Sequence, residues 1–179
     1  MKKTLIAALV GSACLLSGQA MAGMVGNAYP ITVTTTVQAE GPQFNVSVTP
    51  ATVTADDVQS QGITLASLDI SASGLTTTGY ANIAVEGASA SDYDSARQAW
   101  IFKQTSGNGV IYAVPDAKKS ENGWTSNMES SDKNGQVAYR TDGKSEVNAT
   151  TLNIVTAAGN KTPVAGEYSV NLQLTHNVW

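Results

Sequence analysis

The sequence predicts an all-β fold made of two packed sheets. Three observations carry that expectation. Apolar residues recur at every second position in run after run, turn residues interrupt those runs at short intervals, and no stretch keeps a convincing helical period. The composition agrees: only 13% of residues are charged, and Thr, Ser, Val, Ala, Asn and Gly dominate, which suits half-exposed strands and turns better than helices.

The first residues are read as a targeting segment. Lys2 and Lys3 form a positive end, Leu5 to Leu16 is apolar, and Ala20-Met21-Ala22 supplies the small residues of a signal peptidase site, so cleavage is expected between Ala22 and Gly23. The apolar part is short for a membrane span. Cleavage before Cys14, as in a lipoprotein, is the weaker alternative because it would leave the Ala-Met-Ala site unused. Removing 22 of the 179 residues leaves 157, enough for one domain with a real core. It also takes two of the ten basic residues and none of the fourteen acidic ones, so the remaining formal charge is −6. That balance argues against nucleic acid and against a basic membrane-docking surface. With Cys14 gone, an exported chain holds itself together by packing alone.

Ile31 to Ala39 comes next and has no turn residue inside it. Ile31, Val33, Val37 and Ala39 share one parity with Thr35, while Thr32, Thr34, Thr36 and Gln38 take the other, the period of a strand with one buried face. Glu40-Gly41-Pro42 separates it from the next apolar run, so no hairpin ties it to a local partner. Burying Ile31, Val33 and Val37 is worth roughly 1.5 to 3 kcal/mol each. Fixing the backbone costs roughly 1 to 2 kcal/mol per residue. Such a segment needs a sheet that lacks a strand, which another molecule can supply. The alternative is the first strand of an ordinary, complete sandwich.

Further along, Phe44, Val46 and Val48 alternate with polar residues up to Pro50 and read as a first core strand. Asp56 to Gly62 is a polar connection. In Ile63 to Ile70 the apolar parity changes between Leu65 and Leu68, predicting a bulge or a bend. Gly74 to Gly79 forms a turn, and Ala81, Ile83 and Val85 mark the next strand. Trp100 and Phe102 share a face, as do Val110, Tyr112 and Val114, with Asn108-Gly109 as a hairpin signal between them. Asp116 to Gly135 is polar and reads as a long loop or weak hairpin around Trp124. Val137 and Tyr139, then Val147 to Val155, then an alternation from Gly166 to His176, complete seven to nine strands, the pattern of an immunoglobulin-like β-sandwich.

Few residues invite chemistry. His176 is the sole histidine, which excludes a triad or zinc site built on several. Asp56 with Asp57, and Asp92 with Asp94, lack the spacing of a calcium loop and read as solvated turns. No nucleophile and base can be paired, no cofactor motif is present, and the chain is not expected to be an enzyme. Tyr93, Trp124 and Met128 are apolar groups in polar stretches: either loop anchors or contacts for a receptor.

The signal peptide, the free Thr-rich strand Ile31 to Ala39 and the closing run Ala165-Gly166-Glu167-Tyr168-Ser169-Val170-Asn171-Leu172-Gln173-Leu174 together resemble a subunit of the chaperone-usher surface fibres of Gram-negative bacteria. The stretch from Trp100 through Tyr112 to Trp124, with an aromatic at the very end, is similar in a looser way to the Dr family of afimbrial adhesins. The resemblance implies a signal peptide over 1–22, a donor-strand extension over 23–42, and a sandwich over 43–179 that lacks its final strand and is completed by donor-strand exchange. It implies a donor strand of Ile31, Val33, Thr35, Val37 and Ala39, and a groove-edge strand of Gly166, Tyr168, Val170, Leu172 and Leu174 that a periplasmic chaperone holds first. The implied partners are further copies of the chain or other pilus subunits, the chaperone, an outer-membrane usher and a host-cell receptor; the implied location is the periplasm and then the cell surface. The absence of a disulfide, and Val178 before Trp179 where many such subunits have a penultimate aromatic, are departures, and the second leaves the chaperone register open. The competing expectation is a secreted, self-complete carbohydrate-binding or matrix domain with Trp124, Tyr93 and Tyr112 as a stacking site.

Overall fold

A computed structural model describes residues 41–178, and within them the chain is almost entirely strand and turn. The strands are β1 (Gln43–Pro50), β2 (Thr64–Ser73), β3 (Ala81–Gly87), β4 (Tyr93–Asp94), β5 (Ala99–Gln104), β6 (Val110–Pro115), β7 (Trp124–Asn127), β8 (Gln136–Arg140), β9 (Glu146–Thr156), β10 (Tyr168–Ser169) and β11 (Leu172–Val178). One α-helical turn, α1 (Lys119–Asn122), precedes β7, and three 3-10 turns lie at Asp57–Gln59, Ala90–Asp92 and Ser131–Lys133. The larger sheet runs β1-β2-β9-β6-β5-β10, with β4 also paired to β5, and the smaller runs β11-β3-β8-β7.

Both sheets turn one parity inward, and the two inner faces make the core. Leu68 and Ile70 of β2, Trp100 of β5, and Leu152 and Ile154 of β9 pack in one cluster with Ile83 and Val85 of β3, Trp124 of β7 and Val137 of β8. This is the sandwich arrangement, in which alternating side chains of two sheets fill one interior. The parity change in β2 appears as a register shift against β9 between Thr64 and Ala66, and a second shift lies between Ile70 and Ala72. The polar stretch from Asp116 to Gly135 contains α1 and β7, and β7 pairs with β8 as a hairpin edge.

Two expectations need correction. Phe44, Val46 and Val48 do form a strand, but it is not a core strand: they are 36%, 42% and 59% exposed. They pair with Ala72, Ile70 and Leu68, so they lie on the inner face of the sheet, and the layer opposite them is missing among the described residues. The closing alternation is likewise not one strand. β10 pairs with β5 in the larger sheet, and β11 pairs with β3 in the smaller one. The chain crosses between sheets at Val170-Asn171, where the amide of Ala88 donates to the carbonyl of Asn171 at 3.0 Å.

Candidate functional site

The crossing of the last strand leaves an opening between the first strand and the end of the chain. A cleft of about 670 Å³ runs there, walled on one side by Val46, Val48 and Pro50 and on the other by Tyr168, Val170, Leu172 and Leu174. Its floor is the side of the core itself, with Leu68, Ile70, Val85, Phe102 and Ile154. Tyr168, Val170, Leu172 and Leu174 are half-buried and rest against the core cluster, so each offers part of its apolar surface to the cleft. Among the described residues β1 pairs only with β2 and β11 only with β3. Two strand edges thus bound an apolar trough, and each edge carries backbone donors and acceptors that a strand laid between them would satisfy.

The cleft's edge is held by a side chain that the sequence reading passed over. Gln104, at the end of β5, accepts from the amide of Gly109 through Oε1 (3.2 Å) and donates through Nε2 to the carbonyl of Ala165 (3.3 Å). The amide of Thr105 donates to the carbonyl of Glu167 at 2.9 Å, and the Tyr168 hydroxyl donates to the carbonyl of Val164 at 2.7 Å. Gly166 and Gly109 both press against this network: a Cβ on Gly166 would sit 2.7 Å from Gln104 Nε2, and one on Gly109 would sit 2.9 Å from Gln104 Oε1 and against the Tyr168 hydroxyl. A side chain at Gly166 would therefore displace the Gln104 amide from this network. A lone Gln after an apolar strand gives no sequence signal for such a role, because its partners lie 5 and 61 residues away.

The expected receptor contacts are corrected by burial. Tyr93 is 7% exposed, Trp124 0% and Met128 8%, so none presents a surface to a partner. They act as the loop anchors of the other reading. The Tyr93 hydroxyl donates to the carbonyl of Met128, and both side chains close over Gly135, where φ is +69° and a Cβ would sit 2.6 Å from the Tyr93 ring and 2.8 Å from the Met128 methyl. Burial pushes the Tyr93 phenol above its ordinary 10.0, with Asp94 and Glu129 adding to the rise. Trp124 packs on Tyr139 with ring centroids 5.5 Å apart. Tyr112 is half-exposed, but its ring carries the Arg97 guanidinium at 4.2 Å, and with Tyr93 and Trp124 buried no three-ring stacking site is assembled.

The acidic pairs are each engaged by nearby protein groups. The Asp57 carboxylate accepts from the Thr54 hydroxyl (2.7 Å) and amide (3.0 Å), which holds it below its ordinary 3.8. Asp92 accepts from the Ser89 hydroxyl at 2.6 Å and lies 3.8 Å from the Lys103 ammonium, and Asp94 accepts from the Arg97 amide at 3.0 Å. Glu86, buried on the outer face of β3, takes one amide donor on each oxygen, from Gln136 at 3.0 Å and Gln173 at 2.8 Å. His176 lies on the same parity of β11 as Leu172 and Leu174, with its Nε2 buried. The cleavage pair Ala22 and Gly23, and Ile31, Val33, Thr35, Val37 and Ala39, fall outside the described residues.

No protein-family model and no curated protein matches the chain. Among solved structures it is similar to the E. coli Hda pilus minor tip subunit HdaB, with TM-score 0.48 and 14% identity over 76% of this chain and 80% of that one. It is also similar to the Salmonella SafD adhesin, with TM-score 0.47 and 11% identity over 78% and 86% of the two chains. A third likeness, with TM-score 0.43 and 14% identity over 75% and 98%, is to a structure described for fibronectin binding and biofilm formation by the AAF fimbriae of enteroaggregative E. coli.

Proposed function

We propose that this chain is a non-enzymatic structural or adhesive subunit of a bacterial surface fibre, exported and then assembled by strand donation. The observation that carries the reading is the apolar cleft between the two strand edges, with Tyr168, Val170, Leu172 and Leu174 along one wall. A periplasmic chaperone occupies the cleft first. The segment Ile31 to Ala39 of a neighbouring copy, or of another pilus subunit, then replaces it, delivered at an outer-membrane usher. Its alternation matches the demand of the site: one parity for the trough, the other for solvent, and a backbone ladder to both edges. The free energy of assembly is that of completing a sandwich, so no cofactor or catalytic group enters. Adhesion to a host-cell receptor would use some other face than the one that Tyr93, Trp124 and Met128 were expected to form.

Deletion of residues 23–39 tests this. The shortened chain is expected to be captured by the chaperone and to stop there, with no fibre on the cell surface. Fibres formed at the normal level by the deletion variant would reject the proposal. The self-complete carbohydrate-binding reading has lost its stacking site, since two of its three rings are interior.

A further inference from the structure

Three Asn-Gly pairs punctuate the chain, Asn108-Gly109, Asn122-Gly123 and Asn134-Gly135, and assembly by strand donation uses none of them. An asparagine before glycine is chemically exposed, because nothing on the glycine hinders its amide nitrogen from attacking the asparagine side-chain carbonyl. That attack forms a bond from the glycine nitrogen to Cγ and breaks the bond from Cγ to Nδ2, and the side-chain nitrogen leaves as ammonia with the proton from the backbone amide. Water then opens the succinimide at either carbonyl, giving aspartate or isoaspartate. Two conditions must be met: the side chain must be free to swing over the next nitrogen, and that nitrogen must be free to lose its proton.

The three sites meet these conditions differently. Asn122 is pinned at both ends: Oδ1 accepts from the amides of Lys118 (3.1 Å) and Trp124 (3.2 Å), and Nδ2 donates to the carbonyl of Asp116 (2.7 Å). Asn134 donates through Nδ2 to the carbonyl of Gly87 (3.2 Å), and the amide of Gly135 is held by the carbonyl of Ser130 (2.9 Å). Asn108 stands exposed at the tip of the β5–β6 hairpin, and its side chain makes no hydrogen bond among the described residues. One restraint remains there, the 3.2 Å bond from the Gly109 amide to Gln104 Oε1.

We propose that Asn108 is a site of spontaneous deamidation in the folded protein, that the fold protects Asn122 and Asn134, and that Gln104 slows the reaction by holding the Gly109 proton. The chemistry stands whatever fills the cleft. Its consequence reaches the cleft edge, because isoaspartate lengthens the backbone beside Gly109, which is packed against Tyr168.

The test is incubation of the folded full-length chain, and of the same chain in urea, at mildly alkaline pH, followed by tryptic digestion and mass measurement. Cleavage after Lys103, Lys118, Lys119, Lys133 and Arg140 places the three asparagines on separate peptides, 104–118, 120–133 and 134–140. In urea all three are expected to convert together; in the folded chain only 104–118 converts. A folded chain in which Asn122 or Asn134 keeps pace with Asn108, or in which Asn108 is as inert as they are, overturns the assignment. Gln104→Ala is expected to speed conversion a few-fold, the factor an ordinary hydrogen bond is worth, while Gln104→Glu, which keeps the acceptor, stays near the parent rate. Equal rates in the two variants, each shown to unfold cooperatively, would remove Gln104 from the account.

Discussion

Shaving the cleft wall should weaken strand capture about as much as it weakens the unfilled fold, and the size of both effects follows from the exposures of Val46 and Val48. Val→Ala removes the equivalent of two methylenes, about 1.6 kcal/mol when the side chain is fully buried. Val48 is 59% exposed and Val46 42% exposed in the open cleft. Truncation there costs the unfilled sandwich only about 0.7 and about 0.9 kcal/mol, in proportion to the area already buried. Once a strand covers both, each loss rises to the full value, so the paired variant Val46→Ala/Val48→Ala should bind the strand about 1.6 kcal/mol more weakly, about 15-fold in affinity. The assay refolds a chain lacking residues 23–39 in the presence of a synthetic peptide of residues 31–39, and follows the denaturation midpoint against peptide concentration, which reports affinity by mass action. Val137→Ala removes the same atoms from a side chain that is 0% exposed. It should lower the starting stability and leave peptide affinity alone. Peptide affinity unchanged in the paired variant, or reduced by the same factor in Val137→Ala, would refute the assignment of the cleft as the strand's seat.

Three other outcomes are expected. Tyr93→Phe loses the bond to the Met128 carbonyl, about 0.5 to 1.5 kcal/mol at neutral pH. Because the folded phenol titrates above 10.0 and the unfolded one near it, the parent's stability should fall as pH rises past 10, and the variant's denaturation midpoints should lack that alkaline component. Gly135→Ala forces a side chain into a left-handed turn against Tyr93 and Met128 and should cost about 1 to 3 kcal/mol in chemical denaturation. Thr54→Val removes the hydroxyl that holds the Asp57 carboxylate low. The stability gap between parent and variant should be complete above the ordinary aspartate value of 3.8 and narrow as pH falls through Asp57's depressed one, read from acid-unfolding curves.

Much of this protein is written locally. The alternations at Phe44 to Val48, Ala81 to Val85 and Val147 to Val155 became β1, β3 and β9, and the Asn108-Gly109 signal became the β5–β6 connection. A strand's period and a turn's backbone demand are properties of a few consecutive residues, so they can be read without knowing the neighbours. The burial of Trp124 could not be read that way. A tryptophan in a polar stretch is ambiguous until β7 is known to pair with β8 and to bring the ring onto Tyr139.

The chain by itself determined the alternations that became β1, β3 and β9 and the turn between β5 and β6, and it carries a further Thr-rich alternation at 31–39. Only the tertiary structure decided that the inner face of β1 is left open, that the last alternation divides between two sheets at Val170-Asn171, and that Gln104 braces the edge so produced. The reason is that periodicity says which side chains share a face, whereas filling that face depends on whether another strand arrives opposite it from elsewhere in the chain or from another molecule.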